Sequence, residues 1–258
     1  MANKKLRYRI VVVGAGGTGS HFIARFSQFL ASVQNHTEFG VVVVDGDQVE
    51  DSNLSRQVFS DCDVLQNKAE ALTLAVAETY GLEDFVAFPH YLDSVDDLNR
   101  AFSHIATTGY ANGNSYTNVN ICIGACDNHR CRQVMEEWFQ NSSDAIYIDA
   151  ANEFSVGEVV TAIKMQRKII APPRSYYFPE VLKDNSLRRS EESCGAINVS
   201  APQHIATNME AANIMLAILS QLIQDNKISG GVVYFDTFAF TKVFRRYEGG
   251  VIDATTDK

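Results

Sequence analysis

Two runs of β-branched residues, Val11-Val12-Val13 and Val41-Val42-Val43-Val44, show no alternation of polar and apolar positions. Unbroken runs of that kind mark strands buried on both faces of a parallel sheet. Between them, residues 21–30 place Phe22, Ile23, Phe26 and Phe29 or Leu30 at helical spacing, which makes a β-α-β unit with a right-handed crossover by default. The alternation continues with a helix over 68–80, a strand over 85–91, a helix opened by Ser94 with Asp97 three residues on, a strand over 119–124, a helix over 129–139 and a strand over 145–149. This order predicts an α/β fold with a doubly wound, Rossmann-like sheet, parallel in its N-terminal part. After Asp149 come a strand over 156–165, an irregular stretch over 171–193, a long helix over about 203–224 and strands over 232–236 and 238–245. These predict antiparallel strands added to the same sheet at its C-terminal end. The polar stretch 107–117 reads as a loop. Without an internal repeat or a Pro/Gly/Ser linker, one domain is expected over 1–247, followed by a flexible tail over 248–258 in which Gly249-Gly250 is a turn.

Composition narrows the function classes. A net charge of −9 over 258 residues argues against a broad nucleic-acid footprint, while leaving room for a local basic site. Five cysteines, an odd number in a chain large enough to fold without disulfide staples, point to a reducing, cytoplasmic compartment. The apolar stretch near the N-terminus is too short for a secretory signal, and residues 205–223 are interrupted by Asn208, Glu210, Asn213, Ser220 and Gln221, so no membrane span is expected.

The chemistry concentrates at strand ends. Gly14-Ala15-Gly16-Gly17-Thr18-Gly19 fits G-x-G-x-x-G between the first strand and the first helix. Glycines there let backbone N–H groups approach phosphates at a helix N-terminus, although a tight strand-to-helix turn needs glycine too. Asp45, ending the second strand, is placed either for ribose hydroxyls or as a turn aspartate beside Gly46. The run from Asp45 through Asp47 to Gln57 enters a short helical turn capped by Asp51 or Ser52, which puts Asn53 and Arg56 on one face. A guanidinium on a nucleotide pocket suits a triphosphate and has no evident use in a dinucleotide oxidoreductase. Lys68 stands in the first turn of a helix, where the dipole opposes a cation; it is a site residue or an exposed surface lysine. At the end of the fourth strand, Asp127 is suited to hold Mg²⁺ against phosphates or to cap the next helix, and Asn128 follows it. Cys122 and Cys126 read as small core residues.

Together, the glycine loop, the D-x-D-x-V-x-x-S-N-L-x-R-Q run, the following lysine and the strand-end Asp-Asn resemble the ubiquitin-activating-like ThiF/MoeB/HesA adenylyltransferase family over roughly residues 9–246. The second motif is the specific one. The resemblance implies that Gly14, Gly16, Gly17, Gly19, Asp45, Asp47, Asn53, Gln57 and Asn128 bind ATP, that Arg56 and Lys68 neutralise phosphate charge, and that Asp127 organises Mg²⁺. It implies activation of the C-terminal Gly-Gly carboxylate of a ubiquitin-like or sulfur-carrier partner as an acyl-adenylate, and a homodimer. Cys194 resembles the cysteine of the family's crossover loop, here about 171–201. A thioester nucleophile and an inert loop thiol are both open, since Glu191 and Glu192 would raise its pKa.

Two departures matter. The chain has no C-x-x-C pair, so no structural zinc is expected. The first strand begins by about Arg9, so the N-terminal helix whose arginine reaches the partner's site in several relatives is missing, and Arg7 or Arg9 would have to substitute. The shortened, zinc-less form looks like compact ThiF-type proteins of bacterial plasmid or conjugation-related gene clusters. From other classes, an NAD-dependent Rossmann oxidoreductase and a catalytically silent ThiF-like scaffold remain as alternatives.

Overall fold

The computed structural model describes residues 5–106, 116–183 and 203–254. Its centre is one nine-stranded sheet in the order β3-β2-β1-β4-β5-β6-β8-β9, with β7 paired to β6. The parallel half comprises β1 (Lys5–Val13), β2 (Glu38–Val44), β3 (Phe85–Phe88), β4 (Tyr116–Gly124) and β5 (Ala145–Asn152). The antiparallel half adds β6 (Val156–Met165), β7 (Lys168–Ala171), β8 (Lys227–Asp236) and β9 (Thr241–Asp253). Helices cover both faces: α1 (Gly17–Val33), α2 (Lys68–Tyr80) and α6 (Ile205–Asp225) bury one apolar cluster, while α3 (Val95–Ser103) and α4 (His129–Asn141) bury the other. Alternate residues of one strand serve opposite clusters, Ile10 and Val12 going to the first and Val11 and Val13 to the second. That is why the valine runs carry no polar position.

The local signals act where the sequence puts them. Ser94 and Asp97 form the expected capping box at the start of α3. Burial pushes the Asp97 carboxylate up, but four hydrogen bonds to it, from the Ser94 hydroxyl, Arg100 and the backbone amides of Asp93 and Ser94, outweigh that and hold its pKa below the usual carboxylate value.

Several boundaries differ from the sequence reading, including the ends of β4, β5, β8 and β9. The strand expected over 85–91 stops at Phe88, and Tyr91 leaves the sheet. Glu248, where the flexible tail was expected to begin, lies inside β9, which continues to Asp253 with Ile228 opposite Ile252; Ile252 and Ala254 are buried. Two apolar residues after Glu-Gly-Gly, Val251 and Ile252, are too short a run to carry a strand signal of their own and are recruited by the start of β8. The irregular stretch from 171 includes the short helix α5 (Arg174–Tyr177) and a 3-10 turn at Pro179–Leu182, and its remainder lies outside the described residues. Most of the polar loop, 107–115, lies outside them too, and its last two positions begin β4. Among the described residues no helix is long and apolar enough to cross a membrane.

Candidate functional site

β1 lies between β2 and β4, so strand order reverses at its C-terminal end, where open α/β sheets bind ligands. The chain turns there into α1 through the glycine loop. Gly14 has φ +98°, and a side chain on it would lie 2.7 Å from the Ala125 carbonyl oxygen. Side chains on Gly19 and Gly17 would collide with the Gly14 carbonyl and with Asn208. At Gly16 a side chain would meet nothing within 4 Å. Three glycines are therefore demanded by the packing of the turn, and the fourth leaves backbone open to the space in front of the α1 N-terminus, whose first turn holds no acidic residue.

Asp45 ties the loop to β2. Its carboxylate accepts from Ala15 N at 2.6 Å and from Asp47 N at 2.8 Å. Burial pushes its pKa up, with the Lys68 ammonium and these two amides acting against the shift. The aspartate thus makes the turn contacts, one through each carboxylate oxygen.

The segment after β2 is laid against α1. Val58 N donates to Ser20 Oγ at 3.2 Å, and His21 Nε2 lies 3.2 Å from the Arg56 carbonyl oxygen. The short turn Asp51–Asn53 is capped by Glu50, not by Asp51 or Ser52 as the sequence suggested, because Asn53 Oδ1 accepts from Glu50 N to close a capping box. Asn53 is therefore buried with a structural task. Arg56 is different: its guanidinium makes no hydrogen bond or ion pair among the described residues. Gln57 is buried beside it, and its Oε1 is an acceptor without a partner among those residues.

Lys68 is not a surface lysine. It is 7% exposed, and its ammonium lies 3.3 Å from Asp47 Oδ2. The α2 N-cap is Asn67, whose side chain accepts from Ala69 N and Glu70 N and donates to the Asp45 and Asp47 carbonyls. These bonds fix the start of α2 against the end of β2. Beyond Asp47 stands Tyr91, whose hydroxyl donates to Asp47 Oδ1 at 2.6 Å.

Across the switch point, Asp127 is exposed and Asn128 caps α4, accepting from Cys131 N at 2.9 Å. The capping that Asp127 was offered falls to its neighbour. Behind this turn, Arg132 donates to the Cys126 carbonyl at 2.7 Å and the Ala150 carbonyl at 3.1 Å. Its Nε lies 3.3 Å from Asp149 Oδ2, and Asp149, wholly buried, is also paired with Arg174. Arg174 reaches Glu158 at 2.7 Å, and Ser175 is bonded to Glu136. On the other side of the loop, Thr18 Oγ1 donates to Asn152 Oδ1 at 2.9 Å, and Asn152 Nδ2 donates to Asn208 Oδ1 at 2.7 Å.

The sequence-derived residues Gly14, Gly16, Gly17, Gly19, Asp45, Asp47, Asn53, Arg56, Gln57, Lys68, Asp127 and Asn128 all lie at or after the C-terminal ends of β1, β2 and β4. Cys194 lies outside the described residues. Arg9, offered as a replacement arginine, is used within the fold: it donates to Asn120 at 2.9 Å and to the carbonyls of Phe102 and Ile105, below the loop in mid-strand. Arg132, Asp149, Arg174, Tyr91, Asn152 and Asn208 were missed. Two of them carried a signal. Asp149 interrupts an apolar strand, and Arg132 precedes Met135 and Phe139 by three and seven residues on the buried face of α4.

The fold and loop define a Rossmann-like α/β protein. More particularly, the sequence matches the ThiF family over residues 2–249, and the chain belongs to that family. Solved structures share its fold at low identity. Escherichia coli MccB with ATP superimposes with a TM-score of 0.60 at 16% identity, over 92% of this chain and 63% of that one. PaaA gives 0.61 at 15%, over 95% and 64%, and MccB in complex with N-formylated MccA gives 0.56 at 17%, over 95% and 65%. The chain therefore spans just under two-thirds of the length of these neighbours. No curated protein matches it.

Proposed function

We propose that the protein is an ATP-dependent adenylyltransferase that activates the C-terminal carboxylate of a polypeptide. The observation that carries the reading is Arg56, whose guanidinium has no partner among the described residues and whose backbone is held against the first turns of α1. A guanidinium free of protein partners, on a segment packed against the first turns of a helix that follows a glycine loop, suits a polyphosphate. Membership of the ThiF family and the ATP complex of the MccB neighbour support the same nucleotide.

The substrate is the carboxylate of a ubiquitin-like or sulfur-carrier protein ending in Gly-Gly, or of a peptide, as the MccB complex with MccA illustrates for that neighbour. One carboxylate oxygen bonds to the α-phosphorus, the bond from that phosphorus to the bridging oxygen breaks, and pyrophosphate leaves. The nucleophile is already an anion, so no base is needed and the chain's part is alignment and charge neutralisation. Gly16 and the α1 N-terminus receive phosphate oxygens, Asp45 receives ribose hydroxyls, and Arg56 and Lys68 offset the negative charge. Mg²⁺, when bound, would neutralise further phosphate charge. Among the described residues no three His, Cys, Asp or Glu side chains form a ready metal cage, so the ion would rest on Asp127 together with phosphate oxygens and water.

Calorimetry with Mg·ATP, NAD and NADP on the wild type and Arg56→Ala tests this. We expect ATP to bind and the variant to weaken it by roughly tenfold or more, since a charge-assisted hydrogen bond is lost. NAD binding indifferent to Arg56 would move the protein to the oxidoreductases, and binding of no nucleotide would make it a silent scaffold.

A further inference from the structure

Tyr91 is absent from every motif named above, and yet it is joined to the site twice. Its ring lies flat against Gly46: a side chain on that glycine would sit 2.6 Å from the ring. The residue next to Asp45 must therefore lack a Cβ for Tyr91 to take this place. Its hydroxyl then donates to Asp47 Oδ1 at 2.6 Å, while the other oxygen of the same carboxylate lies 3.3 Å from Lys68 Nζ. Tyr91, Asp47 and Lys68 form a chain of contacts across the ends of β2 and β3.

The three members differ in freedom. Lys68 is buried at the N-terminus of α2, where the helix dipole opposes its charge, and its acidic partner is Asp47. Asp47 is itself 40% exposed in its side chain, so nothing in its burial prevents the carboxylate from turning towards water. The Tyr91 hydroxyl fixes one oxygen and so keeps the other aimed at Lys68. A half-exposed carboxylate held at both oxygens positions an ammonium better than one held at a single oxygen.

We propose that Tyr91 is a positioning residue for Lys68, acting through Asp47, and that it pre-sets the ammonium for the phosphates of the incoming nucleotide. The inference rests on the adenylyltransferase reading, in which Lys68 meets ATP. Tyr91 touches no reacting atom. Its contribution is to reduce the reorganisation that Lys68 undergoes when the triphosphate arrives.

A double-mutant cycle tests the connection. Mg·ATP affinity is measured by calorimetry for the wild type, Tyr91→Phe, Lys68→Met and the double variant, since phenylalanine keeps the ring on Gly46 and methionine keeps the stem of Lys68. Tyr91→Phe should weaken ATP binding several-fold in the wild-type background and have no effect once Lys68 is gone. A second readout needs no nucleotide and no buried substitution. The rate at which an amine-acylating reagent modifies Lys68, followed by mass spectrometry, should rise several-fold in Tyr91→Phe. Additive effects in the cycle, unchanged or tighter ATP binding by Tyr91→Phe, or an unchanged acylation rate would each overturn the proposal and leave the adenylyltransferase reading standing. A wild-type chain that binds no ATP would remove both together.

Discussion

The two halves of the sheet solve the burial of their backbones differently. In the parallel half, β1, β2 and β4 are covered on both faces, and nearly every residue of β1 from Tyr8 to Val13 is buried. Polar chemistry is pushed to the strand ends, and that is where the glycine loop, Asp45 and Asp127 stand. In the antiparallel half, β9 closes the sheet with a strand whose first six residues are exposed, and among the described residues no strand pairs with its outer edge. A sheet edge in water tolerates Lys242, Arg245 and Arg246, where a central strand would not. The lesson is that complete burial, not strand direction by itself, concentrates function at the switch point.

The seam between the halves is β5, parallel to β4 and antiparallel to β6. Asp149 sits on it, buried between Arg132 of α4 and Arg174 of α5. Breaking this seam should produce the largest effect. Asp149→Ala leaves two buried guanidinium groups without their shared carboxylate, and a loss of about 3–5 kcal/mol of stability is expected in urea unfolding. A loss below about 1 kcal/mol would show that the two halves do not depend on this contact.

Within the parallel half, the glycines divide into those that shape the turn and the one that faces open space. Gly19→Ala drives a methyl into the Gly14 carbonyl and should cost about 2–3 kcal/mol. Gly16→Ala should stay within about 1 kcal/mol of the wild type in thermal unfolding and act on nucleotide affinity instead. Equal destabilisation by both would erase the distinction.

The smallest effect concerns His21, which joins α1 to the Arg56 segment. Burial first, and Arg25 after it, lower its pKa below the ordinary 6.5, against the opposing pull of the Arg56 carbonyl. Above 6.5 the folded and unfolded chains carry the same neutral ring. As pH falls through 6.5, the unfolded chain takes a proton that folded His21 declines, so stability drops until the folded pKa is reached. His21→Gln should remove that share of the decline between pH 7.5 and 5.5. An identical decline in the variant would place the titrating group elsewhere.

Much of this was legible in the order of residues because it is local. The unbroken valine runs announced parallel strands, Ser94 and Asp97 announced the start of α3, and the glycine spacing announced the strand-to-helix turn. The run from Asp45 to Gln57 and Lys68 carried the family membership. What escaped was the choice between adjacent caps and the pairing of strands distant in sequence. Glu50 rather than Asp51 capped the short turn, Asn128 rather than Asp127 capped α4, and the last part of β9 formed only because β8 was there to pair with it. A capping side chain competes with its immediate neighbours, and the winner depends on backbone geometry that sequence distance does not specify.

The sequence by itself therefore determined which residues alternate, which runs must be buried, where the chain turns on glycine, and that a cluster of nucleotide-site residue types follows the first two strands. Tertiary structure alone decided that Lys68 is buried against Asp47, that Tyr91 holds the far side of that carboxylate, that Arg9 is used up in the fold, and that Asp149 joins two arginines from separate helices. The physical reason is range. Periodicity and propensity act over a few residues, while an ion pair or a buried hydrogen bond joins groups tens of residues apart, and its partners are set only when the sheet brings them together.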